Sequence, residues 1–174
     1  MKYLVKFFVV TFFFIFSTQA FAEQKIVVLD MKYVLNSSTA GKGAQEFLKK
    51  KFNDNAKKFS QLEKLLKKEE MDLLGEKANL TREEYTKKSD SLRKKVIDYQ
   101  SERRSSLDKI TTQRAKARES LMKKIEPIVD SYIKENNISL VIDKKDMLGG
   151  NPENDITQTI VEKLNKELPS LNLK

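Results

Sequence analysis

The stretch from Gly41 to Glu126 constrains this chain more than anything else in it. It contains no Pro, and after Gly41 and Gly43 its one further Gly is Gly75. Without breakers, such a stretch is free to run as long helices. It is dense in Lys, Arg, Glu, Gln and Asp and carries only a thin apolar stripe. Phe52, Phe59, Leu66 and Leu73 recur every seven residues, and Leu48 and Leu62 fall on the companion positions. That is a coiled-coil seam, left incomplete by Asn55 and Glu69. Tyr85, Leu92, Val96 and Tyr99 make a second stripe, which turns polar through Arg103, Ser106 and Gln113 with Ile110 and Ala117 beside them. Two helices joined along so polar a seam are held loosely and can bend. Gly75 is expected to end the first helix in the left-handed conformation. Thr81-Arg-Glu-Glu84 is a capping box that opens the second. The stretch therefore reads as a helical hairpin over residues 41–126 with its tip at about 75–81.

A β-branched run lies on each side of the hairpin: Lys25–Asp30 before it, and Ile138–Asp143 after it. Lys145–Leu148 is expected to add a short third strand over 145–148. A final helix over about 155–168 begins at Asp155, carries Ile156, Ile160, Val161 and Leu164 on one face, and ends before Pro169. Pro127 is expected to kink the second arm where it meets the body. The expected fold is α+β and mostly helical, with a small sheet-containing body from residues 23–40 and 127–174. A body of about 65 residues makes a marginal core, which favours a homo-oligomer.

The first 22 residues have the pattern of a signal peptide. Lys2 and Lys6 precede the apolar run Phe7–Phe16, and Ala20-Phe21-Ala22 is a small-x-small cleavage site. Export with cleavage after Ala22 is the expectation; a retained anchor is the alternative. The chain has no Cys and no His, so disulfides, thiolate ligands, a Cys nucleophile and an imidazole base are all excluded. Ala40-Gly-Lys-Gly43 lacks the rest of a phosphate loop, and Lys145 sits where a calcium loop needs a ligand. No catalytic residue, metal site or cofactor is expected, and the chain does not read as an enzyme.

The net charge is +9. Its excess lies on the hairpin: residues 41–78 hold 10 basic and 7 acidic side chains, and residues 82–126 hold 14 and 8. Basic arms attract acidic partners and suit anionic lipid or lipopolysaccharide surfaces. The export signal and the interspersed acids argue against a physiological nucleic-acid partner.

The order of elements, with Ile26–Asp30, Ala40–Gln45, Leu140–Asp143 and Asp155–Thr157 as its most specific stretches, resembles the Skp/OmpH family of periplasmic chaperones. The resemblance covers essentially the whole chain after Ala22. It implies a homotrimer in which a β-barrel-like body carries three helical tentacles around a cavity. It also implies that unfolded outer-membrane β-barrel proteins are held there without ATP until they are assembled. By position, Ile26, Val27, Val28, Leu29, Ile138, Leu140, Ile142, Ile156, Ile160 and Leu164 map to the trimer interface. Phe52, Phe59, Leu62, Leu66, Leu73, Leu80, Tyr85 and Leu92 map to client-binding positions on the arms. Part of the work of Phe52 and Phe59 is to close the hairpin, whereas Leu80 and Tyr85 near the tip have fewer partners. The competing readings are a trimeric coiled-coil spacer of the cell envelope and, behind it, a basic nucleic-acid-binding protein.

Overall fold

The computed structural model describes residues 24–173. The expected signal peptide, residues 1–22, lies outside them. In chain order the elements are β1 (Lys25–Leu29), α1 (Met31–Ser37), α2 (Thr39–Glu76), α3 (Arg82–Glu135), β2 (Ile138–Asp143) and α4 (Thr157–Glu167). The hairpin α2–α3 projects from a body built by the other elements and the root of both arms.

β1 and β2 pair in parallel, with the entire hairpin as the crossover between them. The register shifts once, between Lys25↔Ile138 and Ile26↔Leu140. That irregularity lets Ile138 and Val141, three residues apart, both reach the core alongside Val27 and Leu29. Around them pack Val34 and Leu35 of α1, Leu121, Ile125 and Ile128 of α3, and Ile160, Val161 and Leu164 of α4, with Ile156 just before it. Ile125, Ile160 and Leu164 have no exposed surface, so this small body has a closed centre.

Three polar devices fix the joints. Asp30 caps α1 by accepting the N–H of Tyr33 at 2.7 Å. Ser38, fully buried, caps α2 through the N–H of Gly41 at 3.2 Å. Gly41 is needed at this elbow because a Cβ there would overlap the Leu35 carbonyl oxygen. The Asp155-Ile-Thr157 segment locks α4 to β1. Ile156 N–H donates to the Val28 carbonyl at 2.9 Å, and the Thr157 hydroxyl accepts the Asp30 N–H at 2.8 Å. The Asp155 carboxylate accepts the Thr157 N–H at 2.9 Å and Lys144 Nζ at 2.6 Å.

Several expectations are corrected. The stretch 145–148 is not a strand: Lys144–Asp146 form a 3-10 turn, because the Asp143 side chain accepts the Lys145 N–H and closes the backbone into a turn. Gly75 does not end α2 in a left-handed conformation; the helix runs to Glu76, and no glycine among the described residues has positive φ. The tip is a 3-10 turn, Lys77–Asn79, followed by the expected capping box. α2 begins at Thr39, ahead of Gly41. Pro127, the expected kink, does not interrupt α3: the helix continues through it to Glu135, with Pro127 on its exposed side. α4 starts at Thr157, with Asp155 still serving its first free N–H. α3 ends at Glu135, and after its C-cap Asn136 the chain turns at Asn137 with φ 51°.

Candidate functional site

The hairpin is the candidate site, since it leaves the core behind. Near the body α2 and α3 pack on Ala44, Leu48, Ala117 and Leu121, all buried. Farther out the seam thins to Phe59 against Tyr99, half-buried Leu62, Leu66 beside Leu92 and Val96, and Leu73 near the tip. The Phe59 and Tyr99 rings meet edge to face, 5.9 Å between centroids at 71°. Ion pairs link the two arms on both sides of this ring contact. Lys58 reaches Glu102 at 3.0 Å, Lys95 reaches Glu69 at 2.7 Å, and Lys88 reaches Glu76 at 2.5 Å. Glu69, which interrupts the heptads, thus faces a cation on the other arm. All six groups are exposed, so each pair adds little stability. Within α2, Glu63 and Lys67 pair one turn apart; their hydrogen bond lowers the Glu63 carboxyl and raises the Lys67 ammonium from their ordinary values. At the tip the Thr81 hydroxyl and N–H hold the Glu84 carboxyl below its usual range, and Lys77 lies 5.5 Å over the Tyr85 ring.

This geometry divides the sequence-derived arm positions. Phe59 and Leu73 are buried between the helices, and Leu62, Leu66, Leu80, Tyr85 and Leu92 are half-buried. Phe52 alone of that set is more than half exposed, at 51%. The exposed apolar surface of the arms lies instead on Leu65, Met71, Leu74, Ile97 and Leu107. Sequence reasoning missed these residues because it looked for the seam. Their signal was present: Leu65, Leu74 and Ile97 each sit next to a seam residue, as apolar side chains that a two-helix seam has no room for.

The trimer-interface positions divide too. Val27, Leu29, Ile138, Ile156, Ile160 and Leu164 belong to the chain's own core. Ile26 and Leu140, which face each other across the sheet, are 40% and 51% exposed. Ile142 is half-buried opposite Val28, which is buried outside the main core cluster. Ile26, Leu140 and Ile142 therefore share a sheet face that the chain does not fully cover, and the far edge of β2 has no strand partner among the described residues.

Among the described residues no group of His, Cys, Asp or Glu could hold a metal ion. No helix there is long and apolar enough to cross a membrane. What remains is a class defined by shape: a small mixed body carrying a long, basic, two-helix arm with exposed apolar side chains. Residues 25–164 match the family model for OmpH-like outer membrane proteins, and the chain belongs to that family. It is 25% identical over 170 residues to a Skp-like protein of Pseudomonas aeruginosa, covering 95% of this chain and 99% of that one. Its fold matches the crystal structure of an OmpH-like protein of Caulobacter crescentus assigned as an outer membrane chaperone. The TM-score is 0.80 at 17% identity, over 90% of this chain and 92% of the other.

Proposed function

We propose that this protein is an ATP-independent holdase of the periplasm that keeps unfolded outer-membrane β-barrel proteins from aggregating before membrane assembly. The observation that carries the reading is the set of exposed apolar side chains on the arms, with Phe52 at the arm root and Leu65, Met71, Leu74, Ile97 and Leu107 outside the core cluster, on arms rich in basic residues. An unfolded β-barrel protein offers apolar side chains and unpaired strand edges, and both aggregate unless shielded. Many weak contacts from several arms add up to tight, reversible capture through effective concentration.

The several arms come from a homotrimer. Its support is the uncovered face of Ile26, Leu140 and Ile142 and the open edge of β2, since an isolated two-stranded sheet is marginal in water. Joining three such sheets would cover that face and close the body toward a barrel, leaving the hairpins as tentacles around a cavity. Export with removal of Met1–Ala22 would deliver the chain to the compartment where such clients pass. The basic arms also suit anionic lipid or lipopolysaccharide at the membrane surface.

The test is aggregation. Urea-unfolded outer-membrane β-barrel protein is diluted, without ATP, into buffer with or without residues 23–174 of this chain, while scattering reports particle mass. Suppression at one trimer per client is expected. It should weaken when Leu65, Leu74 and Ile97 are replaced by Ser with the helix content unchanged. A stable trimer that suppresses nothing would overturn the reading in favour of an envelope spacer, as would retention of Met1–Ala22 in the exported protein.

A further inference from the structure

At the root of the arm, the elbow between α1 and α2 leaves a groove of about 860 Å³ against α3. Its floor is apolar: Leu35, Leu48, Ala117 and Leu121 are buried there, and Met31 and Phe52 form partly exposed walls. Its rim is cationic, with Lys32 on α1, Lys49 on α2, and Arg114 and Arg118 one turn apart on α3. None of these four forms an ion pair among the described residues, although nine other pairs exist there. The one carboxylate on the groove, Asp143, is taken by Lys145 at 3.3 Å. Here four cations are gathered over one apolar floor.

We infer that this groove is a binding site for a short polypeptide segment whose apolar side chains are flanked by carboxylates. It rests on the holdase reading above, because it names where one part of a client is held. The chain's own leader is the wrong occupant, since its charges, Lys2 and Lys6, have the sign of the rim. A peptide is favoured over a lipid by Asn36 and Gln45. Their side chains stand on the groove, hydrogen-bonded to each other at 2.8 Å, and each keeps donors or acceptors that a peptide backbone can use. Met31 adds an unbranched side chain that adapts to different apolar partners.

The probes are two fluorescent synthetic peptides, one alternating leucine with glutamate and one alternating leucine with lysine, followed by anisotropy at low and high salt. Vesicles of phosphatidylglycerol serve as a third probe. The protein should take the glutamate peptide, and salt should weaken that binding. Lys49→Glu with Arg118→Glu reverses two exposed charges without touching the floor. It should cut glutamate-peptide affinity by about tenfold or more, and it should gain affinity for the lysine peptide. That gain separates a rebuilt site from a misfolded one. Equal binding of the glutamate peptide by the variant would overturn the inference. So would a variant of unchanged helix content that binds neither peptide, or vesicle binding through these cations where no peptide binds. If wild-type protein suppresses client aggregation yet fails these tests, the holdase reading stands and the groove falls. If it binds the glutamate peptide through the groove but suppresses nothing, the reverse holds.

Discussion

Replacing Phe59 by Ala should open the arm and leave the body intact. Phe59 is 6% exposed and is the largest buried side chain of the outer hairpin. Its ring meets Tyr99 edge to face at 5.9 Å, and Lys58 lies 5.3 Å from its centroid. Truncating a buried Phe costs about 3–5 kcal/mol. The outer seam offers little in compensation, since Leu62 and Leu66 are only half-buried and the interhelical ion pairs are exposed. Taking the lower figure, about 3 kcal/mol, local opening of the hairpin becomes roughly a hundredfold more frequent. The main core cluster includes Ala40 and Leu121 but no residue between them, so the loss does not reach it. Hydrogen exchange resolved by peptide is the assay. Amides around Phe59 and Tyr99 should lose about a hundredfold in protection, while those of β1, β2 and α4 keep theirs and the thermal midpoint of the body does not move. A body that melts earlier in step with the arm would refute the argument, because it would make arm and body one cooperative unit.

Gly41→Ala drives a methyl into the Leu35 carbonyl and should cost about 1–3 kcal/mol, read as a lower thermal midpoint; an unchanged midpoint would mean that the elbow yields freely. Burial works to raise the Asp155 carboxyl, but hydrogen bonds from Lys144 and Thr157 prevail and hold it below its ordinary value of 3.8. Stability from this group is therefore full above that value and is lost as pH falls through the lower folded pKa. Acid titration of the unfolding free energy should lose this contribution below pH 3.8, and Asp155→Asn should flatten the curve there. Leu140→Asp with Ile142→Asp places two charges on the uncovered sheet face and should give monomers in a sizing experiment, whereas a surviving trimer would reject the proposed interface.

The hairpin was legible in the sequence because its signals are local. The capping box at Thr81 needs four residues, and the breaker-free stretch announces itself. The two strands were legible for the same reason. The third strand was misread because a single side chain, Asp143, closes Lys144–Asp146 into a turn that the apolar pattern of Met147 and Leu148 does not reveal. Gly75 misled because glycine permits a left-handed stop without requiring one; nothing lies within 4 Å of where its Cβ would be, and the helix simply continues. The arm positions were assigned to the seam because periodicity finds the face that packs. Which apolar residues remain exposed depends on where the second helix lies, and that is fixed only by contacts far apart in sequence. The groove at the arm root was invisible for the same reason, since its walls come from α1, α2 and α3 together.

The unbroken helix α3 makes the arm a lever. Its 54 residues begin at the tip and end inside the body, where Leu121, Ile125 and Ile128 are clamped in the core. The free portion from Arg82 to Leu121 is about 58 Å long and the clamped span from Leu121 to Ile128 about 10 Å. A sideways load at the tip therefore reaches the clamp multiplied about fivefold. In the proposed trimer, a bulky guest crowded between such arms would therefore exert torque on the sheet at their base, and the filling of the space between the arms would be reported mechanically to the surface where the chains join.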